Sequence, residues 1–155
     1  LYRQRGRARQ KASTMMSVRT ADWHDPCDRQ ALESIRREVF VEEQGVSIEE
    51  EMDSLDATSQ HLLAISQDSE WVGCARVVST GQIGRMAVRK GFRGQGIGGA
   101  LMEAAIKCAR QQQASPIFLH AQRHAENFYA QFGFTSQGEA FDEAGIDHIK
   151  MELRQ

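Results

Sequence analysis

A chain of 155 residues fits one domain with its own core. With 41% hydrophobic and 26% charged residues it has the make-up of a globular protein, and no stretch approaches the roughly 20 apolar residues of a membrane helix. Residues 1–21 hold Arg3, Arg5, Arg7, Arg9, Lys11 and Arg19 and no acid, so the rest carries 13 basic against 21 acidic residues, a balance of −8 where the whole chain stands at −2. So acidic a body argues against nucleic acid as the main partner.

Cys27, Cys74 and Cys108 are odd in number and form no CxxC, which indicates neither a zinc site nor a disulfide framework, and no metal is expected. Reduced thiols fit a cytoplasmic protein. The leader, residues 1–16, has the Arg-rich, acid-free look of a transit peptide. It reads equally as a basic arm or as sequence upstream of a start at Met15 or Met16. A disordered extension ahead of a domain over 17–155 is the expectation.

In chain order, Ser17–Trp23 alternates weakly and reads as a first strand. Asp25 and Pro26 mark a helix start as N-cap and first position. Leu32, Ile35, Val39 and Phe40 then recur at helical spacing until Gly45 stops or bends the helix. An acidic stretch follows: Glu42, Glu43, Glu49, Glu50, Glu51, Asp53 and Asp56. His61–Ser66, Trp71–Ser79 and Gln82–Val88 read as three strands joined by short turns, hence antiparallel. After a glycine-rich loop, Ile97, Leu101, Ala105 and Cys108 mark a helix to about Gln113. Ile117–Ala121 reads as a buried strand, Ala125–Gln131 as a short helix closed by Gly133, and Thr135–Phe141 with Ile146–Leu153 as a hairpin turned at 142–145. This order predicts an α/β (α+β) domain: a mixed, mostly antiparallel sheet of about six to seven strands with helices on both faces.

The chemistry lies in the loop from Val88 to Gly99, which follows a strand and opens a helix. Amides at a helix start are unpaired, the helix dipole favours an anion there, and glycines admit a phosphate closely. Arg89, Lys90 and Arg93 add positive charge, so a pyrophosphate is the natural ligand. A Walker A loop would need Gly-Lys followed by Ser or Thr, which is absent. Gly94, Gly96 and Gly99 formally match the dinucleotide pattern GxGxxG, but the loop follows antiparallel strands and the next strand ends without the acid that holds a ribose.

Arg93-x-x-Gly96-x-Gly98 instead matches the [Gln/Arg]-x-x-Gly-x-[Gly/Ala] pattern of the GNAT superfamily of acetyl-CoA-dependent N-acyltransferases. Upstream, Gly84–Val88 resembles that family's fourth strand; downstream, Ala125–Phe134 resembles its closing A-x-x-F-Y-x-x-x-G-F segment. Val39–Gly45, Asp53, Asp56, His61, His120–Gln122 and Phe141–Met151 resemble the ElaA/YjcF-like branch. The resemblance runs from about Ser17 to Leu153.

It implies a single GNAT-like domain in which acetyl-CoA, as co-substrate, is held by the backbone of Met86, Ala87 and Val88 and by the amides of Gly94, Gln95, Gly96, Ile97, Gly98 and Gly99, with Arg93 near. An amine attacks the thioester directly. A fourth-strand amide near Val88 stabilises the oxyanion and Tyr129 is the general acid, unless it only packs between Phe128 and Phe132. Asn127 reaches the coenzyme or is a surface polar group. Gln122 stands where many members carry Asn. The fourth strand has no acid, so the base or substrate contacts fall to Glu42, Glu43, Gln44, Asp53, Asp56, His61 or His148, either histidine being open to a purely structural role. The acidic stretch could attract a cationic amine. The expected partners are acetyl-CoA and an amine acceptor, with neither nucleic acid nor membrane, and a homodimer is left open. The alternative within the same fold is a catalytically silent acyl-CoA sensor.

Overall fold

The computed structural model describes residues 16–154. The reading of residues 1–16 therefore lies, but for Met16, outside the described residues. Strand β1 (Ser17–Ala21) leads to helix α1 (Pro26–Arg36), capped by the Asp25 carboxylate, which accepts from the Asp28 amide at 2.9 Å. The helix continues as a wider π-helical segment, Arg37–Glu43, with the Gln44 amide reaching back to the Val39 carbonyl at 3.1 Å. Such segments recur at functional sites. The acidic stretch is not bare loop: Ser47 caps a short helix α2 (Ile48–Glu51), and Asp56–Thr58 forms a single 3₁₀ turn.

Strands β2 (Gln60–Ile65), β3 (Trp71–Val77) and β4 (Gln82–Val88) form the expected antiparallel meander. Helix α3 (Ile97–Gln111), strand β5 (Phe118–Gln122), helix α4 (Glu126–Ala130), and the hairpin β6 (Phe134–Glu143) and β7 (Ile146–Leu153) complete the chain. The seven strands lie in the order β1-β2-β3-β4-β5-β7-β6, with only β4 and β5 parallel.

Two cores sandwich this sheet. On one face α3 buries Ile97, Leu101, Met102, Ala105, Ile106 and Ala109 against Val72, Ala75 and Val77, residues that recur at helical spacing on α3 and alternate with the other face on β3. On the opposite face Leu32 and Ile35 of α1 and Val39 of the π-helical segment pack with Trp23 against Leu63, Cys74 and Ala87.

The feature that positions the site is the short β4–β5 pairing. It holds only at Gln82 with Phe118 and Ile83 with Leu119; beyond these two pairs β4 and β5 are no longer matched, leaving a gap between them. Gly81 anchors the junction: its carbonyl accepts from the Phe118 amide at 3.1 Å, its φ is +103°, and a Cβ there would fall 2.2 Å from the Pro116 carbonyl oxygen. Gly81→Ala is expected to destabilise the fold by more than the roughly 1–3 kcal/mol of the backbone conformation alone, because the clash is with main chain. Urea unfolding checks this; a loss below about 1 kcal/mol would mean the 114–117 segment yields freely.

Candidate active site

A cavity of about 1000 Å³ opens along the gap. Its walls are β4 from Gln82 to Val88, Leu119, His120 and Gln122 of β5, Tyr129 of α4, the end of the π-helical segment, and residues 143–148. No described helix is long and apolar enough to cross a membrane.

At one end lies the glycine loop. Gly94 and Gly96 have φ of +79° and +84°, and a Cβ at either would meet nothing within 4 Å, so the backbone itself faces open space. Gly96 occupies the N-cap of α3 and no side chain caps it. The first amides of the helix, Ile97 to Gly99, therefore lack intrahelical partners. Gly98 is close-packed instead, 3.5 Å from the Phe128 ring for an added Cβ. Met86, Ala87 and Val88 line the cavity, while Gln95 and Asn127 are exposed and do not.

Arg93 is not unpaired on the loop. It donates to Glu43 through both terminal nitrogens at 2.7 and 2.9 Å, and its Nε donates to the Val88 carbonyl at 2.9 Å. Those hydrogen bonds hold the Glu43 carboxyl below its usual range, so Glu43 is an anchored anion and a poor base. The pair is about 40% exposed, worth at most about 1 kcal/mol, so a phosphate can compete for the guanidinium.

Of the other base candidates, Glu42 is exposed and outside the cavity wall. His61 is buried, stacked on Trp23 at 5.0 Å and bonded to the Asp56 carbonyl at 2.8 Å; burial lowers its pKa and it too lies outside the wall. The acidic stretch is free only in part: Glu42, Glu49 and Glu50 are exposed, while Glu51, Asp53 and Asp56 are held by arginines. Arg36 grips Glu51 and Asp56, Arg76 grips Asp53 and Asp56, and Arg85 grips Asp53, closing a network of three arginines and three carboxylates. Asp56 and Asp53 are consumed in that network.

His148 does line the cavity, and with it come two residues that the candidate set omitted. The carboxylate of Glu143, at the end of β6, lies 3.2 Å from Nδ1 of His120 on β5 and 3.6 Å from Nε2 of His148 on β7. The hydrogen bond from His120 holds Glu143 below its usual range. An ionised carboxylate only accepts, so His120 Nδ1 carries a hydrogen. Nδ1 of His148 lies 2.7 Å from the Ile146 carbonyl, which only accepts, so Nδ1 donates to it and Nε2 is the nitrogen turned toward Glu143. Phe141 packs against both imidazoles. The trace of this cluster in the sequence is that its three members lie in His120–Gln122 and Phe141–Met151, the two segments that resemble the ElaA/YjcF-like branch.

Gln44 accepts from Gln122 at 2.9 Å, and Gln122 in turn bonds His124 at 2.7 Å, so the Gln122 side chain is spent on the wall. Tyr129 packs edge-on to Phe128, and its hydroxyl has no protein partner among the described residues. Burial raises its pKa, so the phenol keeps its proton at neutral pH. Burial also pushes the Cys74 thiol up to about 12, which removes it as a nucleophile.

A family model described as an acetyltransferase (GNAT) domain matches residues 24–155. The chain is 35% identical to ElaA of Escherichia coli over 129 residues, 78% of this chain and 84% of that protein. It is 38% identical to the N-acetyltransferase YjcF of Bacillus subtilis over 121 residues, 76% and 86% of the two chains. The crystal structure of Escherichia coli ElaA superposes with a TM-score of 0.80 at 30% identity, covering 90% of this chain and all of that one. An acyl-CoA N-acyltransferase from Pseudomonas aeruginosa gives 0.79 at 30% identity with the same coverage. With the splayed strands and the open helix start already in place, these matches make the chain a member of the acetyltransferase (GNAT) family, of its ElaA- and YjcF-like branch, and an acyltransferase enzyme.

Proposed function

We propose that this enzyme transfers an acetyl group from acetyl-CoA to a primary amine of a small molecule or peptide by direct attack, with His148 as base and Tyr129 as acid. The observation that carries the reading is the His148 ring, locked by the Ile146 carbonyl with Nε2 turned to Glu143, in the same cavity as Tyr129 and Arg93, the residue that leads into the glycines.

Bound acetyl-CoA supplies an acyl thioester; the rest is the work of the chain. The amides from Gly94 to Gly99 hold the pyrophosphate, with Arg93 exchanging Glu43 for it, and the backbone of Met86 to Val88 holds the pantetheine arm. The room left by Gly94 and Gly96 fits this use. Alkyl amines are mostly protonated at pH 7 and so cannot attack. His148 Nε2 removes that proton, and the Glu143 carboxylate beside it stabilises the imidazolium formed. A β4 amide near Val88 bonds the oxyanion. The Tyr129 hydroxyl donates its proton to the departing sulfur, and the proton that the attacking nitrogen sheds as it becomes an amide restores the phenol. The absence of an acid from β4 favours a second reading, a silent acyl-CoA sensor, which binds coenzyme without turnover.

Calorimetric titration with acetyl-CoA, joined to turnover against an amine panel, tests both. Wild type is expected to bind saturably and turn over. Gly96→Glu puts a side chain at positive φ and a negative charge where the pyrophosphate sits, and is expected to weaken binding at least about 100-fold with the fold intact. Binding that survives this change would remove the loop from the coenzyme site; binding without turnover would favour the sensor.

A further inference from the structure

We infer that the acceptor is an amino acid or another amine bearing a carboxylate close by, and that Arg85 reads that carboxylate. The inference rests on the proposed acyl transfer and names its substrate class.

Arg85 stands at an irregularity of β4, where the β3–β4 register shifts, with φ of +46°. A bulky side chain in the left-handed region is an outlier that bulges use to re-aim a residue. Here it turns an arginine into the wall of the acceptor cavity. Its Nε donates to the Glu51 carbonyl at 3.2 Å, and its Nη2 donates to the Glu50 and Glu51 carbonyls and to Asp53. That work ties α2 to the sheet. Nη1 has no protein partner among the described residues, and the side chain keeps 25% exposure toward the cavity.

A second guanidinium, enclosed and not open to a ligand, adds positive charge behind it. It is that of Arg76, which is only 4% exposed and whose Nε is a buried polar atom without a partner. The charges around Arg85 point the same way. Burial, and then the like charges of Arg76 and Arg36, hold its pKa below the usual arginine value, a crowding that one more anion relieves.

Glu143 lines the same cavity, and its carboxyl is lowered in small part by the charge of Arg85, so the two poles act on one space. The cavity thus presents a carboxylate with His148 for an ammonium and the free Nη1 of the Arg85 guanidinium for a carboxylate. A zwitterion fills both ends, whereas a plain amine leaves Nη1 unmet.

The test uses matched acceptors, amino acids and their carboxamides with small, acidic, basic and aromatic side chains, and compares kcat/KM in wild type, Arg85→Gln and Arg85→Lys. In wild type the acid of the best pair is expected to be favoured at least about 10-fold over its amide. Arg85→Gln is expected to cut that ratio by roughly 10- to 100-fold, the worth of a charge-assisted bond, and Arg85→Lys, which keeps the charge without the guanidinium, by less. A purely structural Arg85 would lower both members of a pair alike and leave the ratio unmoved, which overturns the inference, as does a wild type indifferent to the carboxylate. Titrating CoA-loaded protein with N-acetyl amino acids and their amides reads the same selectivity without turnover. Arg85-dependent binding with no acetylation of any acceptor would keep the carboxylate site and sink the acyl-transfer reading; transfer with no carboxylate preference would do the reverse.

Discussion

Asp56→Ala is expected to lower the folding stability by about 3–5 kcal/mol, because it strands two buried guanidinium groups. Arg36, 1% exposed, donates to Asp56 at 2.9 and 3.1 Å, and Arg76, 4% exposed, donates to the same carboxylate at 3.1 Å. Without Asp56 the three arginines share two carboxylates, and Arg36 keeps only Glu51. Water does not replace the lost partner cheaply at a site so enclosed. Thermal unfolding should shift down by roughly 10 °C for a domain of this size. Burial alone would raise the Asp56 carboxyl, but the hydrogen bonds and charge of Arg36, and then of Arg76, outweigh it and hold the group below its ordinary 3.8. A depressed folded-state pKa contributes stability that is complete above the unfolded value and is lost as pH falls through the folded one. The gap between wild type and Asp56→Ala is therefore expected to be full at pH 7 and to shrink below about pH 4. A loss under about 1 kcal/mol at pH 7 would show that the network is wet and weakly coupled.

The second large effect is on rate. His148→Ala is expected to lower kcat/KM at pH 7 by roughly 10²- to 10⁴-fold, the usual contribution of a positioned base, with acetyl-CoA affinity retained. The pH profile distinguishes this from mere loss of packing. An alkyl amine loses its proton unaided near pH 10, so the deficit of the variant is expected to narrow as pH rises toward that value. Glu143→Gln keeps the shape of the cluster and removes the charge that stabilises the imidazolium; a drop of about 10-fold with an altered pH profile is the expected result. A His148→Ala protein that turns over at the wild-type rate would end the base assignment.

Much of the architecture was legible without coordinates because its signals are local. Asp25-Pro26 starts a helix by capping chemistry that needs only three residues, and the spacing of Leu101 and Ala105 marks the buried face of α3 from within one helix. The glycine loop was legible because positive φ at Gly94 and Gly96 and the uncapped helix start are properties of a short segment. The π-helical turn after Arg36 was not, since helical periodicity does not reveal where one extra residue enters a turn.

The site divides the same way. His61 and His148 look alike as residues in strands, yet packing on Trp23 seals one away from the cavity, while the β5–β7 register sets the other beside Gln122 on its wall. Glu143 meets His120 and His148 only because a hairpin folds back on β5, and Arg36, Glu51, Asp53, Asp56, Arg76 and Arg85 meet only across the sheet face. By itself, then, the sequence determined the elements, the family and the open glycine loop, all written in neighbouring residues. Which acids stay free, which histidine reaches the cavity and what faces Arg85 were decided by tertiary structure, because burial and ion pairing depend on residues that are distant along the chain and adjacent only once it folds.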